Sequence, residues 1–162
     1  MSLRQSLRSG VPLSEAVTEL NRQLCAQQSS LSVTLFVGRL NLKTLRLSYV
    51  NAGHSPALVA GKNGEPYALT ACSGPAAGVF EKSEYSEYAA ELKAGDSLWL
   101  YTEGVSGAQN AKGELYGPER LKTLLSEGSS GDTLRALLSD VAAFRGGAEP
   151  ADDLTVLTLR LL

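Results

Sequence analysis

The chain has 162 residues, 43% of them hydrophobic and 20% charged, which suits one soluble globular domain with a sizeable core. Its formal net charge of -2 offers no basic field for nucleic acid or anionic lipid. No apolar run reaches the roughly 18 residues of a membrane span, the N-terminus lacks a signal peptide's apolar core, and Cys25 and Cys72 form no C-x-x-C pair, so the expectation is a cytoplasmic protein with two reduced thiols.

Along the chain, "LRQSLRSG" reads as the tail of a helix closed by Gly10. Leu13, Val17, Leu20 and Leu24 then recur at helical spacing behind Pro12, which predicts an amphipathic helix over 12–27. From Ser32 the period changes to two. "SVTLFVGRL" and "TLRLSYV" alternate around a connection at Asn41–Lys43, and "PALVA" and "PYALT" flank the hairpin signal Gly61-Lys62-Asn63-Gly64. "EYSEYAAEL" and "SLWLYT" flank a further turn at Lys93-Ala94-Gly95-Asp96. After a glycine-rich segment come two helices, over 118–126 and 132–144, the second with Leu134, Leu137, Leu138 and Val141 on one face. A last strand, "LTVLTLRL", closes the chain. Strands in succession with segregated helices make an α+β class with largely antiparallel sheet. "LWLY" and "LTVLTL", apolar on both faces, read as central strands, with Trp99 and Tyr101 in the core.

Both of these strands carry carboxylates at one end. Glu103 leaves the first, while Asp152 and Asp153 enter the second, so antiparallel pairing would bring the acids together at one edge of a sheet. Clustered carboxylates on strand ends suit Mg²⁺ or Mn²⁺, hard cations that take oxygen ligands and retain several waters. Two such ions about 4 Å apart are the arrangement by which many phosphatases activate water and neutralise a phosphate. From spacing alone the signal is weak, since acidic residues in turns are most often solvated or cap helices.

Three segments, "YVNAGHSPALV", "LKAGDSLWLYTEGVSGAQNAKGELYGPERL" and "ADDLTVLTLRL", resemble in order and separation the stage II sporulation protein E-like branch of the bacterial PPM metal-dependent protein phosphatases. The likeness runs from Leu3 to Leu162 and corresponds to the C-terminal two-thirds of that domain. It implies an antiparallel β-sandwich flanked by helices and a two-metal site holding Mn²⁺ or Mg²⁺. The implied activity is hydrolysis of phosphoserine or phosphothreonine on a protein, commonly an anti-anti-sigma factor in a partner-switching pathway; a separate expectation is a regulatory output domain whose signal comes from an upstream receiver or sensor domain.

Residue by residue, the resemblance makes Glu103 and Asp152 ligands of the second metal, with Gly104 and Asp153 in support. Asn51, Gly53, His54 and Pro56 match the family's Asn-Ala-Gly-His turn, read as a structural motif, and no residue is assigned a catalytic role beyond metal binding. Ala76-Ala77-Gly78 stands where the family has Pro-Leu-Gly. Glu103 replaces the family's Asp, lengthening the ligand arm by about 1.5 Å, one carbon–carbon bond. The family's Gly-Asp-x-x-Asp and Asp-Val-x-Gly-x-Gly motifs do not occur in these 162 residues. The expectation is therefore a partial phosphatase domain over 1–162, incomplete at its N-terminus, inactive on its own and inclined to self-associate through exposed sheet edges. The rival expectation is a non-catalytic module that binds an anti-sigma or anti-anti-sigma partner.

Overall fold

Pro12, with φ of -53° and no N–H to leave unpaired, sets the entry to a helix over Leu13–Ala26. The computed structural model describes residues 3–27, 31–61, 65–127 and 132–162, and divides into two compact units, Met1–His54 with Thr70–Leu92 and Ser55–Leu69 with Lys93–Leu162.

In the first unit a short helix α1 (Leu3–Arg8), ended by Gly10 at φ 81°, precedes α2 (Leu13–Ala26). The strands β1 (Leu35–Leu40) and β2 (Arg46–Ala52) form a hairpin, and β5 (Tyr88–Glu91) pairs with the other edge of β2, all antiparallel. The hairpin closes because the Asn41 side chain accepts hydrogen bonds from the amides of Lys43 and Thr44 at 2.9 and 3.1 Å. Leu13 and Val17 of α2 pack with Val50, Ala52 and Tyr85. One turn beyond Val17 on the helix lies a polar residue, Asn21, at 0% exposure. Its amide donates to the carbonyls of Phe80 and Glu81, at 2.9 and 3.3 Å, and accepts from the amide of Gly78 at 2.8 Å and the Tyr85 hydroxyl at 3.4 Å. A fully partnered buried amide of this kind fixes the 78–85 loop on the helix.

The second unit is built on a four-stranded antiparallel sheet in the order β4-β3-β6-β7, from β3 (Leu58–Ala60), β4 (Tyr67–Ala68), β6 (Ser97–Tyr101) and β7 (Val156–Arg160). The turn between β3 and β4, where the Asn-Gly signal falls, lies outside the described residues. Helices α4 (Gly117–Glu127) and α5 (Thr133–Arg145) cover this sheet with Leu121, Leu125, Leu137 and Val141, which share a core with Leu58, Trp99 and Tyr101. Tyr116 joins them, its hydroxyl donating to Asp140 at 2.7 Å and its ring meeting Phe144 edge-on at 5.5 Å.

Four expectations change. The strands either side of Lys93–Asp96 belong to different sheets: the turn forms, with the Asp96 amide donating to the Lys93 carbonyl at 3.0 Å, but β5 joins β2 while β6 joins β3 and β7. Secondly, β7 is an edge strand among the described residues, paired only to β6, with Leu157 55% and Leu159 40% exposed, so its two-sided apolarity marks an open edge rather than a central position. Thirdly, Leu138 on α5 is 42% exposed, because the buried stripe is carried by Leu137 and Val141 alone. Finally, the chain after β6 turns at once into a helix, α3 (Glu103–Ser106), where a glycine-rich turn was expected.

Candidate functional site

The β6–β7 register places Tyr101 opposite Val156, so the two strands end together and the residues just beyond them converge. Thr102 ties the two ends. Its amide donates to the Thr155 carbonyl at 3.1 Å, its hydroxyl donates to the Asp153 carbonyl at 2.8 Å, and the same oxygen accepts from the Thr155 amide at 2.9 Å.

Glu103 follows as the first residue of α3, with its carboxylate accepting from the hydroxyls of Ser106 at 3.3 Å and Ser55 at 3.5 Å. Gly104 comes next and is buried. A β-carbon there would collide with the carbonyl of Asp153, so only glycine lets α3 lie against the incoming acidic loop. In that loop the Asp152 carboxylate accepts from the Asp153 amide at 2.7 Å, which holds the side chain against its own backbone.

These elements enclose a cleft of about 380 Å³, lined by Glu103, Gly104, Gly107 and Ala108 on the α3 side and by Arg145 and Pro150–Leu154 on the other. Glu103, Asp152 and Asp153, all exposed, thus face one space, as antiparallel pairing of the strands requires. Their donors are carboxylate oxygens, the ligand chemistry that Mg²⁺ and Mn²⁺ take, and Mg²⁺ is commonly held by one or two carboxylates with waters completing its shell. Glu103 and Asp152 fit that limited role. Among the described residues no group of three or more His, Cys, Asp and Glu side chains gathers as a metal-binding cluster.

The Asn-Ala-Gly-His turn uses its polar groups on backbone. The Asn51 side chain accepts from the His54 amide at 2.8 Å, and the Asn51 amide donates to the Ser73 hydroxyl at 2.8 Å. Gly53 has φ 67° and sits where a β-carbon would come within 2.9 Å of the Ala76 amide nitrogen. Burial lowers the His54 pKa, favouring the neutral ring. Pro56 is exposed. Burial also raises the Tyr101 pKa, with the charges of Glu103 and Glu119 adding to it.

Three contributors to the cleft escaped sequence reasoning. Thr102 was legible only as part of the Thr-Glu-Gly string, Ser55 only as a neighbour of His54, and Arg145 only as the start of a glycine pair: the first two act through contacts far along the chain, and Arg145 through the turn its glycines make.

Comparison with known proteins agrees with this geometry. The family model for stage II sporulation protein E (SpoIIE) matches residues 1–162. Protein IcfG of Synechocystis is 30% identical over 128 residues, covering 78% of this chain and 20% of that protein. Phosphoserine phosphatase RsbU of Bacillus subtilis is 24% identical over 155 residues, covering 94% of this chain and 46% of that protein. The chain therefore spans less than half the length of these curated relatives. Among solved structures, the PP2C phosphatase domain of SpoIIE from Bacillus subtilis, with a fragment of its regulatory domain, superposes with a TM-score of 0.81 at 21% identity, over 98% of this chain and 46% of that one. Antiparallel sheets with helices, three motifs in order and a family match over the whole length lead to one assignment: this chain belongs to the stage II sporulation protein E (SpoIIE) family.

Proposed function

We propose that this chain supplies the second-metal side of a Mn²⁺- or Mg²⁺-dependent phosphatase site, in a bacterial partner-switching regulator that removes phosphate from a phosphoserine or phosphothreonine protein such as an anti-anti-sigma factor. The observation that carries this reading is the convergence of Glu103 and Asp152 in one cleft through the β6–β7 pairing. The phosphoserine phosphatase RsbU among the relatives supports the substrate class.

In this reading Glu103 and Asp152 would hold the ion, and Asp153 and Gly104 would set their positions. Thr102 would keep the two strand ends in register, and the small residues Gly107 and Ala108 would leave room for the phosphoryl group. A bound Mn²⁺ or Mg²⁺ would supply charge neutralisation and activation of water for attack on phosphorus. Glu103 is anchored by Ser55 and Ser106, which holds its longer arm to one side of the cleft.

The test is Mn²⁺-dependent release of phosphate from a phosphoserine protein by the full-length gene product, beside its Asp152→Asn variant. Metal-dependent turnover that falls at least about a hundredfold in the variant is expected. A folded full-length protein that hydrolyses no phosphoprotein over a panel of metals would overturn the reading in favour of a docking module. The open edge of β7, with Leu157 and Leu159 exposed, supports pairing with another copy or chain. Sedimentation showing monomer at every concentration would count against that.

A further inference from the structure

The cleft's acidic lining poses a problem for the substrate it is proposed to take. A phosphate monoester carries up to two negative charges, and Glu103, Asp152 and Asp153 line the space it must enter. Among the described residues one cationic side chain lines the same cleft, Arg145, the last residue of α5.

Its surroundings are unusual for a surface arginine. Gly146 and Gly147 follow with φ of 57° and 94°, two left-handed residues in succession that only glycine adopts readily. They reverse the chain so that the Ala148 amide donates to the Arg145 carbonyl at 3.0 Å. In return the guanidinium donates through Nε at 3.2 Å and Nη2 at 2.6 Å to the Ala148 carbonyl. The side chain is thereby held half-buried on its own turn, its plane fixed and its Nη1 side left for a ligand. Arg145 forms no ion pair among the described residues, although three carboxylates share its cleft.

A guanidinium oriented by a backbone carbonyl, lining an acidic cleft yet paired with none of its acids, is arranged for an incoming oxyanion. We propose that Arg145 is the residue that anchors the substrate's phosphate group, through charge-assisted hydrogen bonds from its free N–H groups to non-bridging phosphate oxygens. It touches the substrate but neither gives nor takes a proton. Its contribution is to binding, because a fixed cation meets the phosphate in the ground state and the transition state alike. This inference rests on the phosphatase reading for its substrate and on this chain's own geometry for its site.

The experiment compares wild type, Arg145→Gln and Arg145→Lys in two assays. Calorimetric titration of this chain with inorganic phosphate reads the anion site without turnover. Hydrolysis of a phosphoserine peptide by the full-length gene product with Mn²⁺ separates KM from kcat. Arg145→Gln should weaken phosphate binding and raise KM by about tenfold or more, with kcat changed less than about twofold, and Arg145→Lys should fall between, keeping the charge but losing the planar fork. Should Arg145→Gln fail to fold, Arg145→Lys carries the comparison, since an ammonium still reaches a carbonyl acceptor.

Phosphate binding unchanged by substitution, loss of kcat without a rise in KM, or a wild-type chain that binds no phosphate would overturn the proposal. Arg145-dependent phosphate binding without hydrolysis of any phosphoester would uphold this site and remove the phosphatase reading. Hydrolysis indifferent to Arg145 would do the reverse.

Discussion

The hydroxyl of Thr102 donates to the carbonyl of Asp153 across 51 positions of sequence, at 2.8 Å. The same oxygen accepts from Thr155 at 2.9 Å, so one side chain closes the end of the β6–β7 ladder and sets where the acidic loop begins. Thr102→Val keeps the shape and removes both bonds, leaving a carbonyl and an amide to find water. A loss of about 1–3 kcal/mol in chemical denaturation is expected, with Thr102→Ser recovering most of it. A valine variant as stable as wild type would show that the hydroxyl carries no weight there.

Gly104→Ala tests how closely α3 approaches the acidic loop. The added methyl would meet the Asp153 carbonyl, and neither backbone has a flexible end to yield. The loop must shift, at a cost of about 1–3 kcal/mol, and the Asp152 carboxylate shifts with it. Mn²⁺ affinity, read by metal-dependent change in the melting midpoint of the full-length protein, should fall along with stability. Stability and metal response both equal to wild type would refute the close approach.

Asn21→Leu preserves volume but strips the partners from four groups in the 78–85 loop. Gly78 and Tyr85 lose an acceptor, and the carbonyls of Phe80 and Glu81 lose a donor. Destabilisation of at least about 2 kcal/mol is expected, since each buried group left unsatisfied costs about 1–3 kcal/mol. Protease sensitivity should rise first around residues 78–85, and cleavage elsewhere would argue against the amide as the loop's anchor.

The pH dependence follows from His54. Its folded pKa is lowered by burial, so the unfolded chain takes up the proton more readily, near pH 6.5. The contribution to stability is therefore complete above about pH 6.5 and is lost as pH falls below it. Melting midpoints measured from pH 7.5 down to pH 5 should decline more steeply for wild type than for His54→Gln. Parallel curves would mean that the imidazole is as well solvated in the fold as in the open chain.

Much of the fold was readable because periodicity marks elements directly. Pro12 fixed the start of α2, Asn41 its hairpin, and the alternation of β1 and β2 their pairing. What periodicity does not carry is partnership. "LTVLTL" has the same apolar pattern whether two strands flank it or one, and the sequence around Lys93–Asp96 turns identically whether its arms pair together or part into separate sheets. The convergence of Glu103 with Asp152 was legible because both sit at strand ends, where antiparallel order alone decides the matter. Thr102, Ser55 and Arg145 were not, since a hydroxyl or guanidinium gains its role from a partner tens of residues away or from a glycine pair's backbone angles. Asn21 lies outside the periodic set Leu13, Val17, Leu20 and Leu24, and only the carbonyls and amides facing it explain why it is there.

With Leu157 and Leu159 turned to solvent, β7 is held chiefly by its ladder to β6 and by Thr102. Little apolar burial resists its detachment, which places it among the segments that open most readily in the native state. Since the acids enter from opposite sides of that ladder, opening β7 dismantles the cleft, and whatever binds across Glu103 and Asp152 must by mass action suppress the opening. The amide hydrogens of residues 156–160 therefore act as a reporter of site occupancy, slowing their exchange with deuterium in proportion to how tightly the cleft is filled.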